Sequence, residues 1–264
     1  MKNLKGRRAL VTGASIGIGA DFARQLAACG CNLVIASRTE ARLRALADEL
    51  VAQYGVAVEV IAIDLAAPGA GERLFAEVRA RGLDIDVLVN NAGLGMYGGF
   101  ADQSLEQIRG MLRLNIDTLT DLTHLFLPGM RQRGFGIILQ VGSIASFMPG
   151  PLYAAYSGSK AYVLSLGEAL NQELKGSGVS CTVLCPGVTA TEFFNAAGQN
   201  NRYSLYQRLV MMPSHQVARI GIEAALRGKA SVVPGLVNKL QVFGLRLSPR
   251  WFSRWSAHQA MKLR

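Results

Sequence analysis

The sequence predicts a doubly wound α/β fold: one parallel sheet of about seven strands in the order 3-2-1-4-5-6-7, with helices on both faces. Three observations carry this. Short apolar runs alternate with helical stretches of about ten or more residues, the mark of repeated βαβ units. The apolar runs are near-continuous, as strands are when helices cover both faces of their sheet. A glycine cluster stands at the first strand-to-helix junction.

The elements follow in order. Arg8 to Thr12 reads as a strand and Gly17 to Cys29 as a helix. NLVIAS at Asn32 to Ser37 is the second strand, before a helix from Glu40 to Gln53. Val56 to Ile63 and Gly69 to Arg81 make the third strand and helix. DVLVN at Asp86 to Asn90 is the fourth strand, and Ser104 to Met130 a long helix with room for a bend. Gly136 to Gly142 is the fifth strand, Ala155 to Lys175 a second long helix and Val179 to Cys185 the sixth strand. Ser214 to Arg227 is a helix, and Ala230 to Val233 a short seventh strand. There is no repeat and no linker rich in Pro, Gly or Ser. The expectation is therefore a single domain over 1–235, with a basic amphipathic extension over 236–264 that is not an independent domain.

Composition narrows the function classes. Half of the 264 residues are apolar, enough for a large core and too many for disorder. Cys29, Cys31, Cys181 and Cys185 lack CxxC spacing, and His124, His215 and His258 lie far apart, so no metal site is expected. Reduced thiols in a cytoplasmic protein are the plain reading. No run of about 18 uncharged apolar residues exists to span a membrane. Gly13, Gly17 and Gly19 break up the N-terminal apolar stretch, so no signal peptide is expected. The net charge of +10 is concentrated late: after Glu223 there is no acidic residue, only Arg227, Lys229, Lys239, Arg246, Arg250, Arg254, Lys262 and Arg264 among the charges. Aromatic and basic residues interleave there, but on no recognisable nucleic-acid module, so no such partner is expected. Ordinary packing or a subunit contact is the favoured reading of this tail. A lid, or a helix making weak peripheral contact with a membrane surface, is the alternative.

The first strand runs directly into Thr12-Gly13-Ala14-Ser15-Ile16-Gly17-Ile18-Gly19, and a helix follows. Glycines serve where a chain turns tightly and its backbone must approach a pyrophosphate, while the helix N-terminus presents free N–H groups. The spacing is TGxxxGxG. Asn90-Asn91-Ala92-Gly93 follows the fourth strand, Tyr156 and Lys160 form YxxxK, Ser143 stands thirteen residues before that tyrosine, Asn115 lies in the helix after the NNAG run, and Pro186-Gly187 follows the sixth strand. Together these residues resemble the short-chain dehydrogenase/reductase family over about residues 6–235.

The resemblance implies a Rossmann-type fold and hydride transfer between a nicotinamide dinucleotide and a carbonyl or alcohol. The second strand ends Ala36-Ser37-Arg38-Thr39, with no carboxylate until Glu40. Ser37 and Arg38 suit a 2′-phosphate, so NADP(H) is expected over NAD(H). By resemblance, Ser15, Ile16 and Ile18 join the three glycines in the phosphate turn. Asp64 and Leu65 meet the adenine, and Asn91, Ala92 and Gly93 line the nucleotide. Pro186, the Val188 backbone and the Thr191 hydroxyl hold the carboxamide, with Thr189 as competitor. Asp64 has a plainer alternative role as the cap of the next turn.

Tyr156 and Lys160 stand four apart on one helix and share a face. A nearby ammonium is expected to lower the phenol and make Tyr156 the general acid/base. The resemblance adds that Lys160 reaches the nicotinamide ribose, and that Asn115 bonds backbone and a water relaying protons to Lys160. Ser143, at the sheet edge, can hold the substrate oxygen. Tyr153 and Tyr162 have no lysine four residues on. Ser157 and Ser159 are read as structural.

The loops expected to line the substrate are apolar: Leu94, Met96 and Tyr97, then Ile144, Phe147, Met148 and Pro149, with Tyr153, and then Phe193, Phe194, Tyr203 and Tyr206. Arg202 is the one candidate clamp for a carboxylate. An apolar ketone, aldehyde or alcohol is the expected substrate, so the chain reads as a carbonyl reductase. The rival is a non-catalytic NADP-binding redox sensor or scaffold, against which the intact catalytic set argues. The two long helices suggest a homodimer or homotetramer.

Overall fold

The structure, a computed structural model, describes residues 3–191 and 210–261. Its main sheet has seven strands: β1 (Arg8–Thr12), β2 (Asn32–Ser37), β3 (Val58–Ala62), β4 (Val87–Asn90), β5 (Gly136–Val141), β6 (Val179–Leu184) and, after the two-residue β7 (Thr189–Ala190) and β8 (Met212–Pro213), β9 (Ser231–Val232). The order is β3-β2-β1-β4-β5-β6-β9 and every pairing is parallel, as the strand pattern predicts. β7 and β8 form a separate small parallel pair that the sequence does not announce.

The helices are α1 (Gly17–Ala28), α2 (Glu40–Tyr54), α3 (Ala70–Ala80), α4 (Leu105–Leu112), α5 (Leu119–Gln132), α6 (Ala154–Glu173), α7 (Ser214–Leu226), α8 (Leu236–Leu247) and α9 (Arg250–Met261). Successive strand residues point to opposite faces, so Val11 packs with Phe22, Leu43 and Val217 on one side while Leu10 packs with Leu74, Leu122 and Phe126 on the other. The strand order reverses between β1 and β4, and in open α/β sheets the ligand crevice lies at such a switch point.

Two departures from the sequence reading matter for function. The expected long helix from Ser104 is α4 and α5 joined by a π-helical segment, Arg113–Thr118, which contains Asn115. The tail is two helices rather than one. Pro249 forces the preceding residue out of helical geometry, and Ser248 is extended at φ −83°, ψ 139°.

Candidate active site

The residues that follow β1 to β6 enclose a cavity of about 740 Å³, within the usual size of ligand sites. Main chain shapes one end. Gly13 takes φ +65° and donates its N–H to the Ala36 carbonyl at 2.7 Å. A Cβ on Gly13 would come within 2.9 Å of the Ala92 backbone, and one on Gly19 within 2.1 Å of the Gly13 carbonyl oxygen. Thus α1 starts hard against the turn, and its N-cap residue Ile16 has no side chain to cap it, which leaves first-turn amides for an anion. The NNAG run staples this turn to β4. Thr12 Oγ1 accepts from the N–H groups of Asn91 and Ala92, both at 3.1 Å, and Asn91 Nδ2 donates to the carbonyls of Thr12 (2.9 Å) and Gly13 (3.2 Å).

At the end of β2, Ser37, Arg38 and Thr39 line the cavity together with Arg42 from the first turn of α2. Glu40 does not line it, and its carboxylate is held by Arg44 Nε at 2.9 Å. Arg42 was not anticipated from the sequence. The signal was there: a helix beginning at Glu40 places its third residue beside the strand end that carries Arg38. Asp64 and Leu65 line the same end, and Asp64 Oδ1 also accepts from Ala66 N–H at 3.1 Å, so it serves the turn as well as the wall.

At the other end Ser143, Tyr156 and Lys160 converge. The hydroxyls of Tyr156 and Ser143 hydrogen-bond each other. Lys160 Nζ lies 5.9 Å from the centre of the Tyr156 ring and donates to the Val141 carbonyl at 2.8 Å. Burial pushes the Tyr156 phenol up to about 12, and the Ser143 bond only partly offsets this. Burial likewise pushes the Lys160 ammonium down to about 8. This corrects the expectation that the ammonium sets a lowered phenol: within the protein's own groups, desolvation is the largest influence on each. Tyr156 therefore keeps its proton at neutral pH.

Asn115 is fully buried and does not line the cavity. Its side chain accepts from Leu94 N–H (2.9 Å), donates to Leu94 carbonyl (2.9 Å) and donates to Ser159 Oγ (3.0 Å). Ser159 Oγ in turn donates to the Tyr156 carbonyl at 2.7 Å. Asn115 thus ties the loop after β4 to the first turns of α6, and the wide π turn delivers it there. Ser159, read as structural from the sequence, is part of this tie. Ser146 adds a second, accepting from Ser143 N–H (3.3 Å) and donating to the Lys160 carbonyl (2.8 Å).

All the anticipated nucleotide residues border the cavity: Gly13, Ser15, Ile16, Gly17, Ile18, Gly19, Ser37, Arg38, Asp64, Leu65, Asn91, Ala92, Gly93, Pro186, Val188 and Thr191. Thr189 borders it too, but its hydroxyl donates to Gly187 carbonyl at 3.1 Å, whereas the Thr191 methyl packs on Gly17. Of the substrate set, Leu94, Ile144 and Tyr153 line the wall. Tyr153 sits between Tyr97 and Tyr156, with ring centres 5.3 and 5.9 Å away. Met96 and Phe147 do not line it, a correction to the sequence reading. Asn115 holds Leu94 at the wall, and the loop has turned away by Met96. Phe147 instead lies under the Arg246 guanidinium of α8, 5.8 Å away. Phe193, like Phe194, Arg202, Tyr203 and Tyr206, falls outside the described residues. Leu114, Met148 and Gln241 complete the wall. Gln241 comes from the tail, and no local signal pointed to it.

Residues 7–202 match the family described as short chain dehydrogenase. The chain is similar to the very-long-chain 3-oxoacyl-CoA reductase of Aspergillus clavatus, 37% identical over 178 residues, which are 67% of this chain and 52% of that protein. It spans about half the length of the curated relatives it matches. Among solved structures, a short-chain dehydrogenase from Sphingobium yanoikuyae in complex with NADPH is 33% identical with a TM-score of 0.80, covering 91% of this chain and 93% of that one. A 7beta-hydroxysteroid dehydrogenase is 27% identical with a TM-score of 0.84, covering 93% and 95%.

Proposed function

We propose, for a chain that belongs to the short-chain dehydrogenase family, that it interconverts an apolar ketone or aldehyde and the corresponding alcohol with NADP(H). The observation that carries this is the hydrogen-bonded Ser143–Tyr156 pair, set in one cavity with Lys160 and an apolar wall at one end and Arg38 and Arg42 at the other.

The donor set fits the dinucleotide. The turn from Gly13 to Gly19 and the start of α1 would hold the pyrophosphate. Ser37, Arg38 and Arg42 would hold the 2′-phosphate, where two guanidiniums favour NADP(H) over NAD(H). Asp64 and Leu65 would flank the adenine, Lys160 the nicotinamide ribose, and Val188 and Thr191 the carboxamide. When bound, NADPH supplies the hydride that reaches the carbonyl carbon.

This chain's own residues do the rest. Ser143 and Tyr156 hydrogen-bond the carbonyl oxygen and aim its carbon. Tyr156, kept protonated by burial, gives its proton to that oxygen as negative charge develops on it. The Lys160 ammonium steadies the phenolate left behind until solvent returns the proton. In the oxidative direction Tyr156 takes the proton back. The substrate class rests on Leu94, Leu114, Ile144, Met148 and Tyr153, which offer bulk and little charge. Pairing of α5 and α6 with a second copy, as homodimer or homotetramer, is part of the same proposal.

A screen of NADPH oxidation over long-chain, aryl and polycyclic ketones, repeated with NADH, tests the reading. Turnover of an apolar ketone, faster with NADPH, is expected. Tight NADPH binding with no turnover across the panel would replace the enzyme with a nucleotide sensor.

A further inference from the structure

We propose that α8 and α9 form a surface that docks on an anionic lipid bilayer. Eight of the thirteen large apolar side chains exposed among the described residues lie between Leu236 and Trp255. Single exposed apolar residues are ordinary; a contiguous set marks an interaction surface.

The two helices have their polarity inverted. On α8, Leu236, Leu240, Phe243 and Leu247 recur at helical spacing along the outer face and are 62–73% exposed. Its inner face buries Asn238, whose amide donates to the Pro234 carbonyl at 2.8 Å, together with Val242. α9 buries Ser253 and Ala257 while Trp251, Phe252 and Trp255 stay exposed. Their rings touch in series, with centres 5.8 and 5.9 Å apart. A helix that hides serine and alanine and shows two indoles is built for a medium less polar than water. Trp is favoured where an apolar layer meets a wet one.

Charge selects the occupant. Lys239, Arg246, Arg250 and Arg254 are exposed among these apolar groups, and no acidic residue follows Glu223 in the sequence. In a two-fold contact the patch would meet itself, setting cation against cation without an acid to pair. An anionic headgroup layer supplies the missing sign, and apolar side chains can enter the acyl boundary beneath it. The placement also has a use. Gln241 of α8 lines the cavity, and Asn238 packs on Gly187 at its rim. The lipid-facing surface is thus the outer side of the cavity's roof, so an apolar substrate could pass between bilayer and site with little exposure to water. The docking claim itself does not depend on the proposed reaction.

Trp251 and Trp255 are the protein's two tryptophans, so fluorescence excited selectively at tryptophan reports this surface. The full chain is titrated with phosphatidylcholine vesicles, with or without one-third phosphatidylglycerol, some carrying brominated acyl chains. The expected result is a blue shift, quenching by bromine, and binding about tenfold tighter to the anionic vesicles, weakened by salt. A Leu240→Glu/Phe243→Glu variant that keeps its NADPH affinity should lose this binding. Three results would overturn the proposal: unchanged fluorescence with anionic vesicles at low salt; binding that the double variant retains; or light scattering that shows a wild-type oligomer, split by the double variant, and no vesicle binding. The last would give the surface to a second copy of the chain.

Discussion

The cavity is walled differently at its two ends. From Gly13 to Gly19 the wall is shaped by main chain, with glycines where a Cβ would strike a neighbour; it is pinned by the Thr12 and Asn91 side chains and rests on the paired ends of β1 and β2, where Ser37, Arg38 and Arg42 add the side chains. From Ser143 to Gln241 it is side chains carried by a turn, a helix and a segment of the tail that returns from far along the sequence. Backbone recognition suits a ligand that never changes, because the geometry is fixed by the fold itself. Side-chain recognition suits chemistry and selectivity, because single substitutions can retune it.

The sharpest way to separate the two ends is Tyr156→Phe. It removes one hydroxyl from the substrate end and leaves the glycine turn untouched. The expected outcome is a fall in kcat of about 10²–10⁴, with NADPH affinity measured by fluorescence within about twofold of wild type. A variant that keeps full kcat would remove Tyr156 as proton donor. The mirror-image change is Arg38→Ala with Arg42→Ala. Each lost guanidinium–phosphate pair should weaken NADPH binding about tenfold, leaving NADH binding and the KM for the carbonyl substrate unchanged. Equal weakening of NADH would mean that the two arginines shape the strand end rather than read the phosphate.

The same division decides what could be read from the sequence. The TGxxxGxG turn, the NNAG run and the Tyr156–Lys160 pair are local: each is a fixed spacing on an element whose place in the sheet follows from chain order. Sheet order, strand positions and the nucleotide end were legible for that reason. Arg42 is local too, and the expected helix start at Glu40 carried its signal, but only the fold shows that it borders the cavity. Gln241, Phe147 and Met96 were beyond reach, since whether they border the cavity depends on how α8 and the loop after β4 come back across the sheet. The pKa directions were also illegible: spacing shows that an amine and a phenol are neighbours, but only the fold shows that Lys160 is buried and Tyr156 half-buried at the cavity wall.

A smaller effect tests the tie between the loop after β4 and α6. Ser159 links Asn115, and through it Leu94, to the Tyr156 backbone. Ser159→Ala should loosen Tyr156 without touching either ligand, lowering kcat about fivefold, the equivalent of one ordinary hydrogen bond, with both KM values unchanged. A change confined to KM would make Ser159 part of the binding wall instead.

The least conspicuous expectation concerns stability rather than rate, and it again sets the chemical end apart. Burial holds Lys160 at about 8 in the folded protein, against an ordinary value of 10.5. Below pH of about 8 the amine is charged in both folded and unfolded chains, and its desolvation weighs fully against the fold. Between about 8 and 10.5 the folded protein binds fewer protons than the unfolded one, so stability rises with pH. Lys160→Met removes the charge while keeping most of the bulk. At pH of about 7 it should melt a few degrees higher, at roughly 2–4 °C per kcal/mol for a chain of this size, and the gap should close as pH approaches about 10. Tyr156, held at about 12, keeps its proton across this range in the folded protein and does not enter the comparison. Calorimetry across that range would check it. A methionine variant less stable at neutral pH would mean that the lysine's bond to the Val141 carbonyl outweighs its desolvation, and that the chemical end is as settled as the glycine turn.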